Sequence, residues 1–231
     1  MDRIPLVFLP GLLCDDRLWR DQADALSDLA DPLIADLTLD DSLAAMARRT
    51  LAAAPQRFAL AGLSMGGYVA FEIMRQAPQR VLRLALFDTS AAADPPERVA
   101  RRKAGLASLK LGKFAGVTTR LLPQLVHASR VDGPIGDELK AMAARVGSDA
   151  FLRQQHAILG RPDSLPLLPA IDVPTLVAVG DQDVLTPVAD ALQIHWGIRG
   201  SRFHLFRDCG HLPALEQPEE TSRVLRAWLG F

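Results

Sequence analysis

The chain has 231 residues, 49% of them hydrophobic and 23% charged, with a formal net charge of −1. This suits a single domain with an ample core, and the near-neutral charge speaks against a general nucleic-acid binder. No apolar stretch approaches the ~20 residues that span a bilayer, so no membrane segment is expected. Cys14 and Cys209 form neither a disulfide framework nor a metal-ligand cluster. The opening Met1-Asp2-Arg3-Ile4-Pro5 lacks a signal-peptide layout. A cytoplasmic protein without metal or cofactor is expected.

In chain order, an apolar run predicts a strand over 4–9, followed by the loop Leu9-Pro10-Gly11-Leu12-Leu13 and a helix over 16–29. A strand over 33–37 and a helix over 42–53 come next. A strand over 58–63 then runs into Gly62-Leu63-Ser64-Met65-Gly66-Gly67 and a helix over 66–77. After a strand over 82–87 the rhythm breaks. From 91 to 169 only helical patterns occur, at 97–111, 137–145 and 150–159. Strands return at 175–179 and 202–206, each followed by a loop and a helix, over 187–195 and 218–229. Gly or Pro marks most boundaries, among them Pro55, Pro78, Pro174, Pro187 and Pro218.

Alternating strands and helices, with strands apolar on both faces, predict an α/β fold: a mostly parallel sheet of about six strands with helices on both faces. Residues 1–90 and 170–231 form the expected core. The helical block 91–169 is read as a lid inserted over the carboxyl ends of the strands, where ligands bind in such sheets. The alternative is that these helices cover one sheet face.

A serine between two glycines, after a strand and before a helix, is a nucleophile elbow: the turn lifts the Ser64 hydroxyl clear of the sheet. A serine hydroxyl needs a base. Of His127, His156, His195, His204 and His211, only His211 follows the last strand in a Gly-containing loop at the edge where Ser64 emerges. The imidazole needs a carboxylate. Asp183, deep in the loop Gly180-Asp181-Gln182-Asp183, is preferred over Asp181, which could cap a turn, and over Asp88 at the end of strand 82–87. The Met65 amide, with the Leu12 amide from the first loop, would hold the oxyanion.

These pieces resemble the α/β-hydrolase superfamily over nearly the whole chain. The matches are Leu9-Pro10-Gly11-Leu12 with Trp19 downstream, the Ser64 elbow, Gly180-Asp181-Gln182-Asp183, and Gly210-His211 followed by Glu216-Gln217-Pro218. The resemblance implies that the acid is Asp183, in the fourth position of Gly-x-x-Asp. Many relatives carry histidine where Pro10 stands.

The expected activity is serine hydrolysis of small carboxylic esters or related acyl compounds. The same triad serves C–C bond hydrolases of vinylogous diketones, enol-lactonases and acyltransferases. A lid-gated receptor with little turnover is the reading from another class, and a triad-bearing lyase would need a further pocket charge such as Arg161. Leu12, Leu13, Met65, Met142 and Phe151 are expected to line an apolar acyl pocket, with Gln154 and Arg161 (and Gln155) offering polar contacts. Arg98, Arg101, Arg102, Lys103, Lys110 and Lys113 concentrate positive charge on the first lid segment. They read as a solvated helix face or, more sharply, as a steering surface for an acidic substrate or acyl carrier.

Overall fold

The computed structural model describes residues 3–110 and 116–230, apart from the side chains of residues 108–110. Six strands, β1 (Ile4–Leu9), β2 (Ala30–Ile34), β3 (Phe58–Leu63), β4 (Val81–Phe87), β5 (Thr175–Gly180) and β6 (Arg202–Phe206), form one sheet in the order β2-β1-β3-β4-β5-β6. Every pairing is parallel. The central strands are as apolar as a doubly covered parallel sheet requires, and all six residues of β3 are buried.

The pleat sends alternate residues into two cores. Val7, Leu9, Leu60, Leu84, Leu86 and Val177 face one side. There they meet Met46 of α2 (Leu43–Ala53), Phe71 of α3 (Met65–Gln76) and Ile194 of α7 (Val188–Gly197). Leu6, Phe8, Ala85 and Phe87 face the other, against Trp19 of α1 (Arg17–Ala25) and Trp228 of α9 (Pro218–Leu229). Trp19 stacks on Phe8 with centroids 4.8 Å apart and meets Phe87 edge-on at 5.5 Å. Such pairs add about 0.5–1.5 kcal/mol beyond their buried area.

Between β4 and β5 the described chain holds no strand. It runs through α4 (Pro96–Lys110), α5 (Leu122–Leu125) and α6 (Pro134–Leu159), and a short α8 (Pro213–Glu216) precedes α9. The helical patterns expected at 137–145 and 150–159 are two parts of α6, separated at Gly147, whose φ of 76° departs from helical geometry. Lys113 lies outside the described residues.

The second strand departs from expectation. It runs over Ala30–Ile34, not 33–37, and α1 correspondingly ends at Ala25. Asp31 and Pro32 read as a break in the sequence. β2, however, is an edge strand pairing only with β1 (Ile4 opposite Ala30), and proline and charge are tolerated at an edge.

The chain leaves β1 for β2 on one side and returns to β3 on the other, so the loops after β1 and β3 flank a crevice at a topological switch point. There the elbow demands its glycines. A Cβ on Gly62 would lie 2.5 Å from the Gly66 carbonyl oxygen, and one on Gly66 would run into the Leu9 carbonyl. The Leu9 carbonyl also accepts the Trp19 indole N–H at 3.1 Å, so it cannot easily give way. Gly66→Ala is therefore expected to cost at least about 1–3 kcal/mol through overpacking against backbone. Urea denaturation measures it; an unchanged midpoint would show that the first loop yields.

Candidate active site

Ser64 occupies a backbone conformation that side chains rarely adopt, φ 55° and ψ −115°. Neighbours hold it there. Its N–H donates to the Phe87 carbonyl at 3.0 Å, and its carbonyl accepts the Thr89 hydroxyl at 2.8 Å and the Gly67 N–H at 2.9 Å. Such strain, of order 1–3 kcal/mol, persists only where the surroundings over-determine it.

His211 arrives from the loop after β6 and Asp183 from the loop after β5. Asp183 Oδ1 accepts the N–H groups of Leu185 (2.8 Å) and Thr186 (3.1 Å), and Oδ2 accepts the Thr186 hydroxyl at 2.6 Å. That oxygen also lies 2.7 Å from His211 Nδ1, while His211 Nε2 lies 2.8 Å from Ser64 Oγ. An ionised carboxylate only accepts, so Nδ1 carries the imidazole proton and Nε2 is free to accept from the serine hydroxyl. Burial pushes the Asp183 carboxyl up. The adjacent His211 ring and the Thr186 hydroxyl and amide outweigh it, and the group sits below the ordinary carboxylate range.

The other two acids behave differently. Asp181 Oδ1 accepts the Cys209 N–H from the loop after β6 at 3.3 Å, a structural duty across two loops and not the local cap weighed for it from the sequence. Asp88 is fully buried, with Oδ1 accepting the Gly180 N–H at 2.9 Å. An oxygen of Asp88, one of Asp183 and a ring nitrogen of His211 all lie within 4.8 Å of one another. Both nitrogens of His211 are already engaged by Asp183 and Ser64, whereas Asp88 Oδ2 has no hydrogen-bond partner among the described residues. Burial first, and the Asp183 charge second, hold the Asp88 carboxyl well above its usual range. The remaining histidines are occupied elsewhere or exposed: His195 with Ser201, His204 with Glu220, His127 with Ser129, and His156 at the surface.

In the first loop, the Leu13 N–H donates to Gln154 Oε1 at 3.1 Å. Among the described residues no acceptor meets the N–H of Leu12 or of Met65. These are the two amides expected at an oxyanion.

A cavity of about 330 Å³ opens over Ser64 and His211. Leu12, Leu13, Phe151 and Gln155, each expected at a pocket, line it together with Tyr68, Leu121, Leu125, Leu139 and Val184. Four expected contacts lie elsewhere. Met65, the first residue of α3, is fully buried in the core on that helix's side of the sheet. Met142 is packed in the core with Leu122 and Leu139. Gln154 is wholly buried, its amide spanning Leu13 and the Leu37 carbonyl (3.2 Å), because a buried amide must find backbone partners. Arg161 pairs with Asp94 at 2.9 Å and lies over the Tyr68 ring at 4.0 Å, tying the end of the helical block to its beginning. Thr186, on both the cavity wall and Asp183, was not anticipated; its place three residues after Asp183 is the one signal for it. Cys14 also borders the cavity, but burial and then Asp15 push its thiol up to about 12, so it stays protonated beside the serine.

A parallel sheet that presents a serine, a histidine and an aspartate in contact at its carboxyl edge defines a class, and the comparisons agree. The chain belongs to the alpha/beta hydrolase family, whose model matches residues 6–224. Over 178 residues it is 32% identical to the pimeloyl-[acyl-carrier protein] methyl ester esterase of Neisseria meningitidis serogroup C, covering 71% of this chain and 66% of that protein. Over 185 residues it is 27% identical to a 2-hydroxy-6-oxononadienedioate/2-hydroxy-6-oxononatrienedioate hydrolase of Paraburkholderia phymatum, covering 76% of this chain and 63% of the relative. These matches thus span just under two thirds of the relatives' own lengths. Among solved structures, a thermophilic esterase from Thermogutta terrifontis superposes with a TM-score of 0.88 at 28% identity, covering 98% of this chain and 89% of that one. No helix among the described residues is long and apolar enough to cross a membrane.

Asp88 gives a test of the site's electrostatics. A carboxyl whose folded pKa lies above its unfolded value contributes stability fully present below the unfolded pKa and lost as pH rises through the folded one. Asp88→Asn keeps the acceptor for Gly180 and cannot ionise. Its stability relative to wild type is expected to rise as pH climbs from about 4, where the unfolded carboxyl ionises, toward the raised folded pKa. Urea denaturation across that window checks it, and a flat difference would show that Asp88 is ionised in the folded protein.

Proposed function

We propose that this chain is a serine hydrolase of small carboxylic esters working through an acyl-enzyme. The supporting observation is the unbroken contact from Ser64 through His211 to Asp183 on the floor of a largely apolar cavity. His211 Nε2 takes the hydroxyl proton as Ser64 Oγ bonds to the ester carbonyl carbon. The N–H groups of Leu12 and Met65 receive the resulting oxyanion. Collapse breaks the bond to the alcohol, which leaves with the proton held on His211. Water, deprotonated by the same nitrogen, then attacks the acyl carbon and frees Ser64 and a carboxylic acid. Asp183 remains ionised throughout and holds the Nδ1 proton.

In this reading the block 91–169 acts as a lid, and the acyl chain lies among Leu13, Phe151, Leu121 and Leu139. The esterase names of two relatives favour ester over C–C cleavage; the Paraburkholderia relative keeps the latter as the alternative. Ser64→Ala and His211→Ala are each expected to lower turnover by several orders of magnitude without loss of fold. Intact mass after fluorophosphonate treatment tests the premise: one adduct, absent from both variants, is the expected result. Ordinary activity in Ser64→Ala would refute the mechanism.

One observation favours a finer reading. Arg98, Arg101 and Arg102 all border the cavity on α4. Arg98 and Arg102 are held by Asp94, at 3.6 and 2.6 Å. Arg101 is exposed and has no acidic partner among the described residues. We propose that this rim favours acyl groups bearing a distal negative charge or an acidic carrier. Arg101→Ala should raise KM for a dicarboxylate monoester several-fold and leave the uncharged ester of equal length unchanged. Added salt should mimic it; equal effects on both esters would exclude a charge-specific role.

A further inference from the structure

Glu216 stands apart from the triad, yet its carboxylate grips the loop that carries the base. Its side chain is fully buried. Oε1 accepts the N–H of Leu212 at 3.1 Å, and Oε2 accepts the N–H of Gly210 at 3.1 Å. The two residues flanking His211 thus hang from one carboxylate. The same Oε2 accepts the N–H of His127, from the helical block, at 2.8 Å. The intervening amide, that of His211 itself, donates to the carbonyl of Leu125 in α5 at 3.0 Å.

The two segments are pressed together as well as bonded. A Cβ on Gly210 would stand 2.7 Å from the backbone of Val126, so only glycine lets the lid lie this close. Arg130, in the same lid segment, comes within 3.8 Å of Glu216 Oε2 and donates to the Asp208 carbonyl at the base of the histidine loop. A buried carboxylate is costly unless its lone pairs are filled. Here three amides fill them, and each belongs to the histidine loop or to the lid.

We infer that Glu216 is a positioning residue that locks the His211 loop to lid segment 122–130, so that the base is in register with Ser64 only while that segment is seated. The inference rests on the serine-hydrolase reading above. Displacing the segment would remove the Leu125 acceptor from the His211 amide and one of the three donors from Glu216. The lid would then control the base as well as access to the cavity.

Glu216→Gln tests this, because the amide keeps the shape but turns a donor toward backbone donors. With a short-chain p-nitrophenyl ester, kcat is expected to fall about 10–100-fold with KM within about twofold, since a sub-ångström to 1 Å misplacement of a catalytic group has effects of that order. The low-field proton resonance of His211 Nδ1–H should weaken or shift at a temperature where circular dichroism remains native. Fluorophosphonate labelling of Ser64 should slow in parallel. Wild-type labelling and turnover in Glu216→Gln, or a loss carried by KM alone, would overturn the inference and leave the triad reading standing. No labelling of the wild-type protein would overturn both.

Native-state hydrogen exchange needs no variant, so it decides the matter if Glu216→Gln fails to fold. The amides of His127, Gly210, His211 and Leu212 should open with one shared protection. Exchange of His127 more than about 100-fold faster than Gly210 and Leu212 would show that lid and loop open separately, and would overturn the inference.

Discussion

The structure depends on one strained backbone conformation, that of Ser64. A residue with φ 55° at the end of a buried strand reverts unless it is held from several sides. It is held by Phe87 and Thr89 from β4 and its extension, and by the close approach of Gly66 to the Leu9 carbonyl. The Leu9 carbonyl in turn is pinned by the Trp19 indole, which belongs to the aromatic group with Phe8 and Phe87. The elbow, the first loop and one of the two cores are thereby a single packing unit.

Three buried carboxyl groups surround the histidine loop, and their surroundings separate them. Asp183 receives two amides, a hydroxyl and an imidazole, and remains ionised. Asp88 receives one amide, faces Asp183, and is driven toward its neutral form. Glu216 receives three amides and has Arg130 nearby. One functional group thus performs three tasks, set by the donors that each meets.

The helical block joins the core through apolar packing, with Leu122, Val126, Leu139 and Met142 on one side and Ala157 and Ile158 on the other, and through polar links. Gln154 reaches the first loop and the loop after β2. Within the block itself, Asp94, only 4% exposed at its side chain, gathers Arg98, Arg102 and Arg161. Glu216 takes His127. Because the Leu13 and Glu216 links end on loops that bear proposed catalytic groups, the geometry of the block and that of the site are coupled.

Much of this was legible in the chain. Strand and helix periodicity carries the α/β order, and the elbow, the Gly180–Asp183 loop and the Gly210-His211 loop can be read because their chemistry is local: a tight turn needs its glycines wherever it folds. Only the tertiary structure decided what depends on distant partners. Asp31 and Pro32 lie in a strand because β2 is an edge. Gln154 and Arg161 turned from expected pocket residues into buried links, because the groups they satisfy are more than 60 positions away. Glu216, visible in the sequence only as a companion of His211, gained a role when folding brought residue 127 beside residue 210. Periodicity and turn chemistry act over a few residues; hydrogen bonds that fill a buried carboxylate act across the whole fold.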